Sequence, residues 1–257
     1  VFDALGAKTY VINDQPDGVN INMGCGSTHI EGLQLYVREH HLDVGFAFDG
    51  DADRCLAVDE RGRVLNGDKI MYICAKYLKD RGQLPGDTVV TTVMSNFGLY
   101  KALEKAGIRY EKTAVGDRYV YENMKENDFV LGGEQSGHII FLDENTTGDG
   151  LLSALHLLQV MVETGKQLSE LAQIMEVLPQ ALVNAKVANH KKEKYMEYPE
   201  IADAIQKLEE KFAGEGRVLI RPSGTEPLVR VMIEGKDQQV IQEEAQRLAS
   251  LIQDIMF

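Results

Sequence analysis

Six consecutive residues, Asp49-Gly50-Asp51-Ala52-Asp53-Arg54, set three carboxylates at alternate positions with a guanidinium directly behind them. Like charges this close repel one another unless a cation or a basic group joins them. Oxygen donors on a tight loop suit a hard divalent cation, Mg²⁺ or Ca²⁺. Apolar residues on either side (Val44, Phe46, Ala47, Phe48; Leu56, Ala57, Val58) read as two β-strands flanking an acidic tip. A solvated turn is one other reading. An EF-hand is another, since Asp49, Asp51, Asp53 and Glu60 fall at its first, third, fifth and twelfth positions. The sixth position of that loop must be Gly, and here it is Arg54. Arg54 favours Mg²⁺ beside a phosphate, because arginine grips phosphate oxygens.

A second cluster, Gly132-Gly133-Glu134-Gln135-Ser136-Gly137-His138, crowds a carboxylate, an amide, a hydroxyl and an imidazole onto a glycine-flexed connection. Glu134 and Ser136 suit a pair of sugar hydroxyls, as acceptor and donor. His138 suits acid/base work or a phosphate. Taken alone, the cluster reads more simply as a polar strand connection with a structural histidine. A third, Arg221-Pro222-Ser223-Gly224-Thr225-Glu226-Pro227 with Arg230 behind it, combines two hydroxyls, a glycine-freed backbone N–H and two arginines. That is the chemistry of an anion nest, and the arginines at both edges favour it over a plain hairpin turn. Gly116-Asp117-Arg118 opens a helix, where phosphate contact and simple capping are equally good readings.

The elements that must position these groups alternate in type. Strands are expected at Lys8–Asn13, Asp43–Phe48, Cys55–Asp59, Thr88–Met94, Ile108–Thr113, Phe129–Leu131, Ile139–Leu142, Ala181–Val187, Arg217–Arg221 and Leu228–Glu234. Helices are expected after a Thr28/Glu31 capping box, over Asp68–Lys79, from a Ser95 cap to about Ala106, from Gly116 to about Glu126, over Leu151–Glu163 and Glu200–Phe212, and along the apolar stripe Ile241, Ala245, Leu248, Ile252, Ile255. The Leu151–Glu163 helix is apolar nearly all round, which implies burial. The fold class is therefore α/β with a mostly parallel sheet, followed by a small α+β unit. The expected division is 1–65, 66–178 and 179–257.

Bulk properties narrow the function classes. The chain has 257 residues, 44% of them hydrophobic and 26% charged, with a net charge of -13. That balance excludes a general binder of nucleic acid or anionic membrane, though a few local arginines suffice for a phosphate ligand. The most apolar run, Leu151 to Val162, contains His156 and Gln159 and is shorter than the ~20 residues of a membrane span. Three cysteines without metal spacing read as buried thiols in a reducing cytoplasm. The chain does not open on Met, and Val1–Ala7 reads as the end of a helix, so a piece of a longer protein is expected.

In this order, D-G-D-A-D-R, then G-E-Q-S-G-H, then R-P-S-G-T-E-P resembles the α-D-phosphohexomutase superfamily, in its second, third and fourth domains. Val115–Val120 and Gly133–His138 are similar to the bacterial phosphoglucosamine mutase branch. The resemblance implies that Asp49, Asp51 and Asp53 hold Mg²⁺ and that Arg54 sits near the transferring phosphoryl group. It implies that Glu134 and Ser136 read sugar hydroxyls, with His138 near the reacting oxygen. Arg221, Ser223, Gly224, Thr225 and Arg230 would anchor the non-reacting phosphate, with Asp117 and Arg118 as a further substrate contact. The family passes a phosphoryl group from a phosphoserine to a phosphorylated hexose and takes another back, through a sugar bisphosphate. Its nucleophile lies in a Thr-Ala-Ser-His-Asn-Pro-like loop, and no such loop occurs here. The expectation is a cytoplasmic glucosamine-phosphate mutase whose partner is a missing N-terminal domain, inactive without it and with an incomplete Mg²⁺ site. Phosphomannomutase or phosphoglucomutase activity, a non-catalytic sugar-phosphate or metal-binding module, and a phosphatase with Asp49 as nucleophile remain the alternatives.

Overall fold

A computed structural model describes residues 1–173 and 175–257. They gather into two compact units: Val1–Ser95 with Ala102–Met175, and Asn96–Lys101 with Glu176–Phe257.

In the first unit the acidic hexapeptide is the tip of a hairpin. Strands β1 (Val44–Phe48) and β2 (Cys55–Asp59) pair antiparallel with Phe48 opposite Cys55, and β3 (Val64–Leu65) adds to β2. The Asp59 carboxylate accepts from the backbone N–H groups of Arg61 and Arg63 and closes the next turn. Helix α1 (Glu31–Glu39) lies close on β1; a Cβ at Gly45 would stand 2.6 Å from a Val37 methyl. The capping box expected at Thr28 and Glu31 is not formed: Ile30 occupies the cap position and no side chain bonds there.

Lys8–Asn13 is not a strand. Its β-branched residues meet no ladder: β1 is the outer strand of its sheet, and no described strand bonds to its free edge. Propensity without a hydrogen-bonded neighbour does not make a strand. The run instead borders a cavity of about 740 Å³ that Leu33, Phe46 and Leu158 also line. The segment before it makes only a short 3₁₀ turn, Asp3–Leu5.

The second sheet of this unit has the order β5-β4-β6-β7, with β4 (Thr88–Thr92), β5 (Arg109–Thr113), β6 (Leu131–Gly133) and β7 (Ile139–Phe141). Strand β4 runs parallel to β5 and β6, and β7 is antiparallel to β6. All of β4 is buried, as a β-branched run covered on both faces should be. Strand β6 starts two residues later than its apolar run implies. Helix α2 (Gly67–Asp80) is capped by the Asn66 side chain, and α3 (Phe97–Lys105) follows β4. The cap of α3 is Asn96 rather than the expected Ser95: Asn96 Oδ1 accepts from Gly98 N. Helices α4 (Asp117–Asn127), α5 (Gly150–Thr164) and α6 (Leu168–Leu171) complete the unit. Helix α5 is not buried all round: Ala154, Leu157 and Val160 are covered, but Val162 is 79% exposed. Cys55 and Cys74 are buried and Cys25 half-buried; burial alone pushes the Cys74 thiol up to about 12.

The second unit is a three-stranded antiparallel sheet, order β8-β10-β9, from β8 (Gln180–Lys186), β9 (Arg217–Pro222) and β10 (Leu228–Glu234). Helices α7 (Pro199–Phe212) and α8 (Gln238–Met256) carry its apolar stripes. Val229, Val231 and Ile233 alternate along β10 and share a core with Ile205, Ile241 and Leu248. Glu234 ends β10 fully buried, bonded by Asn96 Nδ2, the Phe97 N–H, Gln180 Nε2 and Arg217 Nε. Four donors, one of them a cation, offset the desolvation of that carboxylate. No described helix is long and apolar enough to cross a membrane.

Candidate functional site

The acidic tip is folded by its own first carboxylate. Asp49 Oδ1 accepts from the Arg54 N–H at 3.2 Å, and Asp49 Oδ2 lies 3.5 Å from the Arg54 guanidinium. Ala52 takes a left-handed conformation at φ 58 to turn the chain. The flanking strands rule out an EF-hand, and Glu60 is turned to the Ser169 N–H instead.

The second motif is locked to the tip. Arg54 and His138 form an antiparallel bridge, and Cys55 N donates to Gly137 O at 3.1 Å. Only glycine fits at Gly137, where a Cβ would lie 2.4 Å from Cys55 O. His138 is 3% exposed, and both of its ring nitrogens are engaged. The Gly148 N–H donates to Nε2 at 3.0 Å, so Nε2 is the acceptor and Nδ1 carries the proton. That proton is given to Asp53 Oδ2 at 2.9 Å. The ring is thus held between the Gly148 amide and the Asp53 carboxylate.

Glu134 is half-buried, and its Oε1 accepts from the Gly116 N–H at 2.9 Å, at the mouth of α4. Ser136 is exposed. Asp117 is also exposed, 3.9 Å from His138 Nε2. Arg118 pairs with Glu122 one turn along α4, and 81% of its side chain faces solvent. Asp49, Asp51, Asp53, Arg54, Glu134, Ser136, Asp117 and His138 thus lie in one unit around one hairpin tip, while Arg118 turns along its helix.

The three aspartates fit a divalent cation. Each offers one carboxylate oxygen, and these lie within 4.8 Å of one another. Asp53 Oδ1 is buried and has no hydrogen-bond partner. An orphaned buried anionic oxygen costs about 1–3 kcal/mol or more, which a cation would offset. Three hard oxygen donors match Mg²⁺ chemistry.

In the second unit Arg221 and Arg230 face each other across the β9–β10 ladder. Burial, and then the Arg230 charge, lower the Arg221 pKa from its ordinary value. Arg230 reaches Glu226 at 3.1 Å, while its buried Nε has no partner. Two repelling cations with an unused donor favour an anion between them. The connecting loop folds on Ser223, which is 4% exposed: its Oγ accepts from Glu226 N, and its N–H donates to Leu228 O. Gly224 and Thr225 are exposed.

Outside the three motifs, the Thr147-Gly148-Asp149-Gly150 connection also closes on the tip. Gly148 meets His138, the Asp149 side chain caps α5 by accepting from Leu152 N, and Gly150 N donates to Ala52 O at 2.9 Å. Asp between two glycines before an apolar helix was the available signal.

Two family models match the chain: phosphoglucomutase/phosphomannomutase alpha/beta/alpha domain III over residues 66–178, and the phosphoglucomutase/phosphomannomutase C-terminal domain over residues 182–251. The chain is 61% identical over 252 residues to a phosphoglucosamine mutase of Clostridium acetobutylicum, and 60% identical over 253 residues to that of Acetivibrio thermocellus. Each match covers 98% of this chain and 56% of the relative, so the chain spans little more than half the length of these curated relatives. Among solved structures it is similar to Aspergillus fumigatus N-acetylphosphoglucosamine mutase in complex with GlcNAc-6P and magnesium, at TM-score 0.72 and 22% identity over 92% of this chain and 54% of that one. A phosphoglucomutase/phosphomannomutase family protein from Burkholderia thailandensis gives TM-score 0.70 and 21% identity, over 90% of this chain and 51% of that one. These structural likenesses speak to the fold, and they agree with the α/β and α+β organisation that the sequence implies. On the two family models and the extent of the sequence identity, the chain belongs to the phosphoglucomutase/phosphomannomutase family, the family that the order of its motifs resembles.

Proposed function

We propose that this chain carries the metal-binding, sugar-reading and phosphate-anchoring parts of a phosphoglucosamine mutase, which interconverts glucosamine 6-phosphate and glucosamine 1-phosphate. The observation that carries the reading is the 61% identity to a phosphoglucosamine mutase across 98% of the chain, a span that includes all three motifs. In this reading residues 1–65 belong to the metal-binding domain, 66–178 to the sugar-reading domain and 179–257 to the phosphate-anchoring domain.

Asp49, Asp51 and Asp53 would hold Mg²⁺, whose charge would neutralise phosphoryl oxygens during transfer. His138 is a positioning residue: it fixes Asp53 through Oδ2 and leaves Oδ1 for the ion. The Arg54 side chain is 45% exposed beside the triad and reaches a phosphoryl oxygen. Glu134, through its second oxygen, and Ser136 read two sugar hydroxyls. Asp117 stands beside them at the start of α4, and Arg118 reaches the substrate only by leaving Glu122. Arg221, Gly224, Thr225 and Arg230 anchor the non-reacting phosphate on a loop that Ser223 holds in shape. A sugar bisphosphate is the intermediate, and the phosphoserine comes from polypeptide outside these 257 residues.

The test has two arms. Calorimetry of the chain with Mg²⁺ present should show glucosamine 6-phosphate binding more tightly than mannose 6-phosphate or glucose 6-phosphate; a reversed order would favour the phosphomannomutase or phosphoglucomutase reading. Incubation of the chain alone with glucosamine 6-phosphate and glucosamine 1,6-bisphosphate should give no glucosamine 1-phosphate. Turnover in that assay would overturn the assignment of the nucleophile to other polypeptide.

A further inference from the structure

The basic turn His190-Lys191-Lys192 lies outside the three motifs, yet one of its side chains reaches the arginine loop. Lys192 opens a 3₁₀ segment, Lys192–Glu197, and is half-buried. Its ammonium donates to Ser223 O at 2.7 Å, with Gly224 O at 3.5 Å. The same segment is tied to β9 a second time, through the Tyr195 hydroxyl and Ile220 O at 3.3 Å. Lys192 is therefore held in place and does not swing freely.

A trans peptide points its C=O and its N–H in opposite directions. The carbonyl of Ser223 shares its peptide with the N–H of Gly224, and the carbonyl of Gly224 shares its peptide with the N–H of Thr225. An ammonium that gathers both carbonyls turns both amides the other way. Those two amides make no hydrogen bond to any described residue, and both residues are exposed. Consecutive free N–H groups turned the same way are what a backbone anion nest requires.

We propose that Lys192 is a positioning residue for the phosphate: it clamps the Ser223 and Gly224 carbonyls so that the Gly224 and Thr225 amides, with Arg221 and Arg230, present donors to the anion. The proposal rests on the reading of this loop as the phosphate anchor. Lysine suits the task because its ammonium has three donors and no acceptor, so it can serve two carbonyls at once. Methionine would keep the stem's packing and lose the clamp.

The experiment is a titration of the isotope-labelled chain with inorganic phosphate, followed at the backbone amides by NMR. In the unsubstituted chain the Gly224 and Thr225 signals should move saturably. In Lys192→Met they should start from different positions before any phosphate is added, and the affinity should fall about tenfold, the scale of one hydrogen bond to a charged group. Lys192→Arg, which keeps charge and donors, should retain most of the affinity and confirm that the segment folds. Lys192→Met with unchanged affinity would overturn the clamp and leave the phosphate-anchor reading standing. Weaker binding without displaced amide signals would also overturn it, by reducing Lys192 to a nearby charge. Amides of Gly224 and Thr225 that ignore phosphate in the unsubstituted chain would overturn the anchor reading and the clamp with it.

Discussion

The acidic tip and the arginine loop are both short connections between antiparallel strands, yet they are built in opposite ways. The tip bonds Asp49 to Arg54 within itself but is also held from a distance: His138, 85 residues further on, bonds Asp53, and Gly148 and Gly150 close around it. Glycines are obligatory there, since a Cβ at Gly150 would sit 2.7 Å from Arg54 O and 2.8 Å from Ala52 O. The arginine loop is folded mostly by its own residues, Ser223, Glu226 and Leu228, and a Cβ at Gly224 would meet nothing within 4 Å. Negative oxygens converging on a cation must be held against their mutual repulsion, which takes a buried scaffold. Donors for an exposed anion can rest on a short turn and two strands in register, with Lys192 as the distant contact on this one.

Four substitutions bear on that contrast. His138→Ala should be the most damaging, costing about 3 kcal/mol in urea unfolding, because it opens a cavity and strands both Gly148 N and Asp53 Oδ2. It should also weaken Mg²⁺ binding about 10–100-fold by calorimetry, as loss of a ligand's hydrogen-bond partner does. Unchanged Mg²⁺ affinity in a folded variant would mean that the tip orders itself. Gly150→Ala should cost about 2 kcal/mol through overpacking against the backbone of the tip. A neutral result would show that the tip yields as readily as the other loop.

Arg221→Ala should leave the unfolding midpoint nearly unchanged, because it relieves repulsion with Arg230, while lowering phosphate affinity about 10–100-fold in the titration. Destabilisation there would reveal a scaffold role like that of His138. Gly224→Ala should have the least effect, below about 0.5 kcal/mol on stability, since its Cβ enters open space. A large loss would break the comparison from the other side.

Both sites were visible in the residues, but to different depths. The arginine loop was legible almost whole, because β9, β10 and the turn between them follow from local alternation and Pro-Gly chemistry. Only the inward turn of Ser223 and the arrival of Lys192 needed the fold. The acidic tip was legible as a metal-binding composition on a hairpin, while the two partners of His138 were not. An imidazole can be acid, base or prop, and its residue type alone does not name its partners. Lys8–Asn13 shows the same limit in secondary structure: β-favouring side chains are a local property, but a strand is an agreement with a neighbour, and no described strand bonds to the free edge of β1.

By itself, then, the sequence determined most of the order of helices and strands, the α/β and α+β classes, and the three clusters of chemistry-bearing residues. Periodicity, turn residues and charge spacing act over a few positions, and short range is what a sequence displays directly. Tertiary structure alone decided that Asp53 keeps one buried oxygen free, that His138 orients it and that Asn96 caps α3. It also brought the Lys192 ammonium to the carbonyls of Ser223 and Gly224. Each of these depends on which distant groups are left to satisfy one another once the core has closed.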